Sequence, residues 1–174
     1  GAGGDPDRGL TPLGREAVRR MQARGILPDV SHTSDRSFWD ILKLAEGPVV
    51  ASHSNCRALC DVRRNLTDEQ LRAIRDTGGV IGVNVYHGFV HAEPRMQTAA
   101  MLARHAAHIA ETIGPEHVAC GFDFCEYFGP GNEGCEGMES CAQTGNFFFE
   151  LERLGFSAAE RQGIASENLL RVLE

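Results

Sequence analysis

Four short apolar runs recur along the chain, and stretches with helical periodicity separate them. The runs cover residues 26–31, 48–52, 79–86 and 117–122. Apolar runs of this length, bounded by turn residues, are typical of strands buried in a parallel sheet. Because helices lie between them, successive strands are expected to pair in parallel through right-handed crossovers. The pattern predicts an α/β fold with about four parallel strands.

Helix start signals precede most of the stretches between the strands. The predicted N-caps are Thr11, Ser34, Thr67 and Ser157. Thr67 also forms a capping box with Gln70, in which each side chain satisfies a backbone donor of the first turn. The predicted helices cover residues 12–24, 35–45, 68–76, 97–113, 142–154 and a last stretch from 158 onward that is broken near Gly163.

Residues able to do chemistry follow each of the four runs. They are His32, His53, Tyr86 and Asp123. In (β/α) barrels the C-terminal ends of several strands contribute to a single mouth, where the active site lies. A complete barrel takes about 250 residues, whereas this chain has 174. We therefore expect the C-terminal half of a (β/α)8 TIM-like barrel, with residues 1–174 as one partial barrel domain and the N-terminal half absent.

His32 and His53 are the candidate metal ligands. Neutral imidazole binds Zn²⁺ well, and strand ends hold ligands rigidly. A single histidine at a barrel rim is more simply a polar residue bonded to a carbonyl, but two at equivalent positions favour a metal site. Asp123 is a candidate metal ligand or proton shuttle. Its alternative role is that of an ordinary turn or cap residue.

Two other pairs of polar residues receive weaker assignments. His105 and His108 are three residues apart on the fourth predicted helix, which places them outside the barrel mouth. Arg63 and Arg64 lie in the loop after the second strand, where a guanidinium can grip a substrate carboxylate with two hydrogen bonds. The alternative for this arginine pair is a solvated surface role.

Charge and cysteine content narrow the class of ligand. The net charge of −7, from 24 acidic and 17 basic residues, argues against nucleic-acid binding. No apolar run approaches the roughly 20 residues of a membrane span. The six cysteines lack the paired C-x-x-C spacing of a structural zinc site, and we favour reduced thiols and a cytoplasmic location. A small-molecule or peptide substrate fits this composition best.

Five segments occur in the order and spacing of one known family. They are Asp29-Val30-Ser31-His32, Ala51-Ser52-His53-Ser54-Asn55, Arg63-Arg64-Asn65-Leu66-Thr67-Asp68, Gly79-Val80-Ile81-Gly82-Val83-Asn84 and Gly121-Phe122-Asp123-Phe124. With the terminal segment 167–172, they resemble the C-terminal half of the membrane (renal) dipeptidase family. The resemblance runs from about Gly9 to Glu174.

The resemblance implies a zinc-dependent barrel that hydrolyses dipeptides with a hydroxide held between two metal ions. By this resemblance His32 and His53 both bind the second zinc of a binuclear site. Asp123 accepts the proton of the attacking hydroxide and delivers it to the leaving amine. Arg64 binds the free carboxylate of the substrate, which distinguishes it from Arg63.

Three departures from the family pattern concern the site. The family's His-x-Asp on the first strand and its metal-bridging glutamate have no counterpart in this chain. A tyrosine that contributes to the substrate pocket in some relatives aligns with Phe89. The common Asp-Phe-Asp-Gly is replaced by Asp123-Phe124-Cys125-Glu126, which leaves the substrate preference open.

The leading hypothesis is therefore the C-terminal portion of a zinc-dependent dipeptidase, inactive alone and without a membrane span. One alternative is another metal-dependent barrel amidohydrolase, acting on a lactone, cyclic amide or nucleobase. Another is a non-catalytic remnant that binds a partner. An unclosed barrel exposes strand edges and core surface, which predicts a homo-oligomer or pairing with the missing N-terminal half.

Overall fold

Four parallel strand segments lie side by side in chain order in the computed structural model, which describes residues 8–174. Strand β1 (Ile81–Val83) pairs in parallel with β2 (Val118–Cys120). On the other side of β1, Ala51 bridges Ile81, and Asp29 in turn bridges Val50, both in parallel. The predicted α/β fold is thereby confirmed. Residues 1–7 of the predicted domain lie outside the described residues.

The predicted strand lengths were wrong, and proline explains the first two. Residues 26–31 and 48–52 are reduced to bridging residues, because Pro28 and Pro48 have no N–H to extend the ladder. The third run ends early because the Asn84 N–H donates to the Asn55 side chain instead of to a strand. The fourth begins late because residues 115–117 form a 3₁₀ turn.

Four helices begin directly after their predicted cap residues, whereas the helices predicted from 97 and from about 142 begin two residues later, at Ala99 and Thr144. The helices are α1 (Pro12–Gln22), α2 (Asp35–Leu42), α3 (Asp68–Asp76), α4 (His87–Val90), α5 (Ala99–Ile113), α6 (Thr144–Arg153), α7 (Ala158–Gln162) and α8 (Asn168–Leu173). Thr11, Ser34, Thr67 and Ser157 each accept a backbone N–H of the first turn, and the capping box of Thr67 is present. The one-turn helix α4 was not predicted from the sequence.

The predicted break near Gly163 is a π-helical turn, Gly163–Glu167, that joins α7 to α8. A Cβ at Gly163 would lie 2.9 Å from the side-chain oxygen of Asn168. The Asn168 amide donates to the carbonyls of Pro115 and Val118, at 2.9 and 2.7 Å. Gly163 thus leaves room for a side chain that ties the last helix to the start of β2.

The strand segments are buried on both faces, which explains their unbroken apolar sequence. Alternate residues of the strands pack against α3, α5 and α6 in the main core. Its largest fully buried members include Leu71, Ile74, Ile81, Leu102, Ile109, Phe147 and Leu151. The remaining strand residues Val50, Val80 and Ala119 form a second cluster with Val172 of α8. Within residues 8–174, no helix combines the length and apolar character needed to cross a bilayer.

His105 of α5 belongs to the main core and not to the strand ends. Its Nδ1 accepts the Cys56 N–H at 3.1 Å, and its Nε2 donates to the Val90 carbonyl at 2.8 Å. Burial lowers the pKa of His105 to about 4. His108, three residues along the same helix, instead lies 2.7 Å from the Asp68 carboxylate. The two histidines therefore have separate partners.

We expect His105 to make the fold sensitive to acid. Its pKa is about 4 in the folded chain against an ordinary 6.5, so the unfolded chain takes up the proton first as the pH falls. The stability contributed by the neutral ring is complete above pH 6.5 and is lost progressively down to about pH 4. The loss amounts to about 3 kcal/mol of unfolding free energy. Urea unfolding from pH 7.5 to 4.5 measures it.

The matched variant for this measurement is His105→Asn, which removes the titrating ring. We expect a lower stability at pH 7.5 but a weaker dependence on pH than in the unmodified protein. The same slope in both proteins would show that other groups cause the acid sensitivity.

Candidate metal and substrate site

His32 and His53 lie side by side at the ends of the first two strand segments. The parallel bridge between Asp29 and Val50 aligns these segments, and the two imidazole centroids are 5.0 Å apart. His32 has a φ of +64°, a backbone conformation that is uncommon outside glycine. The sequence prediction that these two rings face the same space is consistent with this geometry.

Asp123 completes the group from the end of β2. Its Oδ2 lies 3.9 Å from His53 Nε2 and accepts a 3.1 Å hydrogen bond from the Asn84 side chain. Asp123 has a φ of +59°, and among residues 8–174 it and His32 are the non-glycine residues with positive φ. Backbone strain of this kind concentrates at functional sites. Positive φ occurs at two of the four residues that follow the predicted strands, which supports a functional site at these strand ends.

Glycine allows these strand ends to come together. A Cβ at Gly82 or at Gly121 would collide with the carbonyl oxygen of Ser52. The backbones of three strand segments therefore approach more closely than side chains would permit. This approach brings His53, the residue after Ser52, towards Asp123.

Arg64 lies beside His53, at the end of the second strand segment, and is 9% exposed. One terminal nitrogen donates to Ser54 Oγ and the other to the His53 carbonyl, each at 2.7 Å. Its Nε is buried, with no hydrogen-bond partner among residues 8–174. The guanidinium carbon lies 5.5 Å from the centre of the Phe89 ring. Arg63, by contrast, is exposed, and its charge acts on Asp35.

The electrostatics of the site favour neutral imidazoles. Burial lowers the pKa of both His32 and His53, and the positive charge of Arg64 lowers both further. Burial also lowers the pKa of Arg64, while the carboxylates of Asp123 and Asp29 act in the opposite direction. Neutral imidazole is the form that binds a metal ion, so the environment prepares both rings for that role.

His32 and His53 are donors of the chemical type that zinc binds. Zinc takes imidazole nitrogens readily, and catalytic sites use three protein ligands. Within residues 8–174, no group of three or more His, Cys, Asp and Glu side chains is arranged to hold a metal ion. Among the described residues, the site therefore offers two imidazoles and no third clustered ligand. All six cysteines are free thiols.

A cavity of about 240 Å³ opens beside Asp123. Its walls are largely apolar and include Tyr86, which the sequence predicts at this end of the strands, together with Phe89 and Phe128. Cys125 also lines the cavity, and its thiol donates a weak 3.8 Å hydrogen bond to Asp123 Oδ1. The space is suited to a small ligand with an apolar side chain.

Sequence reasoning missed the residues that support this group. Asp29 accepts hydrogen bonds from Ser31 and Ser52, and Asn84 holds Asp123. Asn55 in turn holds Asn84, as donor to its carbonyl and acceptor from its N–H. The signal available in the sequence was the position of these polar residues inside or beside apolar runs, where an unbonded polar group is costly.

Sequence comparison identifies relatives over most of the chain. A model of the membrane dipeptidase family, peptidase family M19, matches residues 2–174. A protein encoded in the pqqA 5′ region of Klebsiella pneumoniae is 44% identical over 126 residues, covering 70% of this chain and 46% of that protein. An uncharacterised dipeptidase of Schizosaccharomyces pombe is 34% identical over 173 residues, covering 98% of this chain and 40% of the relative.

Structural comparison agrees with the sequence matches. A metallopeptidase from Rhodobacter sphaeroides, solved with a phosphinate mimic of the dipeptide L-Ala-D-Ala, superimposes with a TM-score of 0.86 at 30% identity. The match covers 98% of this chain and 48% of that structure. The chain thus spans about half the length of the relatives it matches. By the family match over residues 2–174, the chain belongs to the membrane dipeptidase family, peptidase family M19.

Proposed function

We propose that this chain forms the C-terminal half of a (β/α)8 barrel in a zinc-dependent dipeptidase. The observation that carries the proposal is the convergence of His32, His53, Arg64 and Asp123 at the ends of adjacent strand segments. Four parallel segments in chain order are half of an eight-stranded barrel, and the relatives are about twice as long. Residues 1–174 would then be one partial barrel domain, completed by an N-terminal half.

In this proposal His32 and His53 hold one zinc ion of a binuclear site. Zinc bound there would act as a Lewis acid on the scissile carbonyl and activate water for attack. Burial lowers the pKa of both imidazoles, which favours the neutral form that a metal ligand must have. The other ligands, including the residues that hold the second ion, would come from outside the described part of the chain.

Arg64 binds the substrate, and Asp123 transfers the proton of the attacking water. Arg64 binds the carboxylate of the dipeptide; this role is supported by its guanidinium lying beside His53 and by an Nε without a hydrogen-bond partner among residues 8–174. Asp123 accepts the proton from the attacking water as the C–O bond forms. It then gives the proton to the amine nitrogen as the C–N bond breaks. The hydrogen bond from Asn84 holds its carboxylate beside His53 during both transfers.

A substrate panel tests the proposed reaction in the complete natural protein in which this sequence occurs. We expect hydrolysis of dipeptides such as L-Ala-D-Ala, its loss on metal chelation and its return with Zn²⁺. Hydrolysis of lactones, cyclic amides or nucleobases without dipeptide hydrolysis would instead identify another barrel amidohydrolase. Lack of any hydrolysis in the zinc-loaded protein would favour a non-catalytic, partner-binding role.

Replacing Arg64 by lysine tests the carboxylate contact. The charge is kept but the two-pronged geometry is lost, so KM for a dipeptide rises by about 10- to 100-fold. Steady-state kinetics with a dipeptide and with its C-terminal amide measure the effect. The matched control is Arg63→Lys, for which we expect no change.

The amide substrate shows whether Arg64 acts through the substrate carboxylate. It lacks the carboxylate, so the unmodified enzyme should lose affinity for it, and Arg64→Lys should add little to that loss. Equal losses by the variant on both substrates would mean that Arg64 supports the fold and does not contact the carboxylate.

The free thiols support a reducing compartment such as the cytoplasm.

We also propose that the uncovered edges of the strand layer pair with the N-terminal half or with a second copy of the chain. Sedimentation of the complete protein distinguishes a monomer from a homo-oligomer.

A further inference from the structure

The carboxylate of Asp29 joins the ends of the first two strand segments. Its Oδ1 accepts the N–H of Ser31 at 2.9 Å and the N–H of Ser52 at 3.0 Å. Its Oδ2 accepts the hydroxyl of Ser52 at 2.5 Å. Burial opposes the ionisation of Asp29, but the hydrogen bonds from Ser52 and Ser31 outweigh it and lower the pKa of the carboxyl. All of these groups are donors to an ionised carboxylate.

The hydroxyl of Ser52 has a second neighbour. Its Oγ lies 2.7 Å from Nδ1 of His53. A serine hydroxyl has one hydrogen, and an ionised carboxylate can only accept. If the hydrogen pointed to His53, the Ser52 oxygen and Asp29 Oδ2 would face each other at 2.5 Å with no hydrogen between them. The hydrogen therefore points to Asp29, and the Ser52 oxygen must accept from His53.

The donors and acceptors around Ser52 Oγ determine which nitrogen of His53 carries the hydrogen. In the neutral ring, Nδ1 carries the hydrogen and Nε2 carries the lone pair. Nε2 is the atom that lies 3.9 Å from Asp123 Oδ2, on the side of the proposed metal ion. The backbone of the same residue is also held, since the His53 N–H donates to Ser31 Oγ at 3.0 Å.

We propose that Asp29 and Ser52 are positioning residues that hold His53 in the Nδ1–H tautomer, with the Nε2 lone pair directed into the site. The tautomer belongs to the metal-free protein, and its consequence for zinc binding rests on the function proposed above. Second neighbours of this kind orient metal-ligating histidines and raise their basicity.

His105, in the core, carries its hydrogen on the other ring nitrogen and provides an internal reference for His53. His105 Nδ1 lies 3.1 Å from the Cys56 N–H, and a backbone N–H can only donate. Its Nε2 faces the Val90 carbonyl, which can only accept. His105 is thus in the Nε2–H form. One spectrum of the protein should therefore contain both tautomers, at His53 and at His105.

Long-range ¹H–¹⁵N correlation spectra of the complete natural protein, labelled in histidine and stripped of metal, test the assignment at neutral pH. We expect a protonated Nδ1 and an unprotonated Nε2 for His53, and the reverse for His105. Ser52→Ala should move His53 towards the mixture seen in free histidine and leave His105 unchanged. Ser52→Thr keeps the hydroxyl and should restore the Nδ1–H form.

The outcomes separate this inference from the proposed function. A protonated Nε2 at His53 in the unmodified protein would overturn the inference, as would unchanged His53 shifts in Ser52→Ala with His105 in its normal state. Zinc affinity measured by competition with a chelator should fall by about 10- to 100-fold in Ser52→Ala. If the tautomer is as stated but the unmodified protein binds no zinc, the positioning role stands and the proposed function fails.

Discussion

Replacing His53 by alanine is expected to abolish dipeptide hydrolysis by the complete natural protein. The variant removes an imidazole that lies with its ring centre 5.0 Å from that of His32 and faces Asp123. Metal ions contribute several kcal/mol of transition-state stabilisation, so kcat/KM should fall by about 10³-fold or more. His32→Ala should have the same effect. Activity assays combined with zinc analysis of each purified variant measure both consequences.

The control for these variants is His108→Ala. His108 lies on α5, where its Nε2 is 2.7 Å from the Asp68 carboxylate. We expect its zinc content and turnover to match those of the unmodified protein. If His53→Ala and His32→Ala retained zinc and activity, the assignment of these residues as ligands would be wrong.

Asp123→Asn is expected to give the second large effect. The amide has the shape of the carboxylate but cannot take a proton from water at neutral pH, so kcat should fall by about 10²- to 10⁴-fold. Asparagine tolerates positive φ almost as well as aspartate, so the φ of +59° is no obstacle to folding. We expect KM and zinc content to change little, and steady-state kinetics with metal analysis will show this.

Cys125→Ala serves as the comparison for Asp123→Asn. It removes the weak thiol contact to Asp123 Oδ1 but keeps the proton acceptor. The loss of kcat should therefore be a few-fold at most. Loss of zinc by Asp123→Asn, or an equal loss of kcat in both variants, would contradict the proton-transfer role of Asp123.

Local signals predicted the helices well because helix caps depend on nearest neighbours. Thr67 and Gln70 are three residues apart, and their capping box forms as expected. Strand lengths failed because ladder pairing depends on a distant partner. Pro28 has no N–H to donate to a neighbouring strand. An apolar run considered alone does not show that its pairing partner needs this donor.

The same distinction holds for the site. The ends of parallel strands share one edge of a sheet, and this rule alone predicts that His32, His53 and Asp123 lie close together. It does not predict the hydrogen bonds of Asp29 to Ser52, which depend on the register between two segments 23 residues apart. Nor does it predict the positive φ of His32 and Asp123, which depends on how each strand leaves the sheet.

Anomalous diffraction at the zinc edge shows whether His32 and His53 bind one zinc ion. The crystal should be of the complete natural protein loaded with Zn²⁺. We expect an anomalous peak about 2.0–2.1 Å from an imidazole nitrogen of each residue, with Nε2 as the ligand atom of His53. A zinc-loaded crystal in which the peak lies away from either imidazole, or is absent from this site, would show that His32 and His53 do not share a zinc ion.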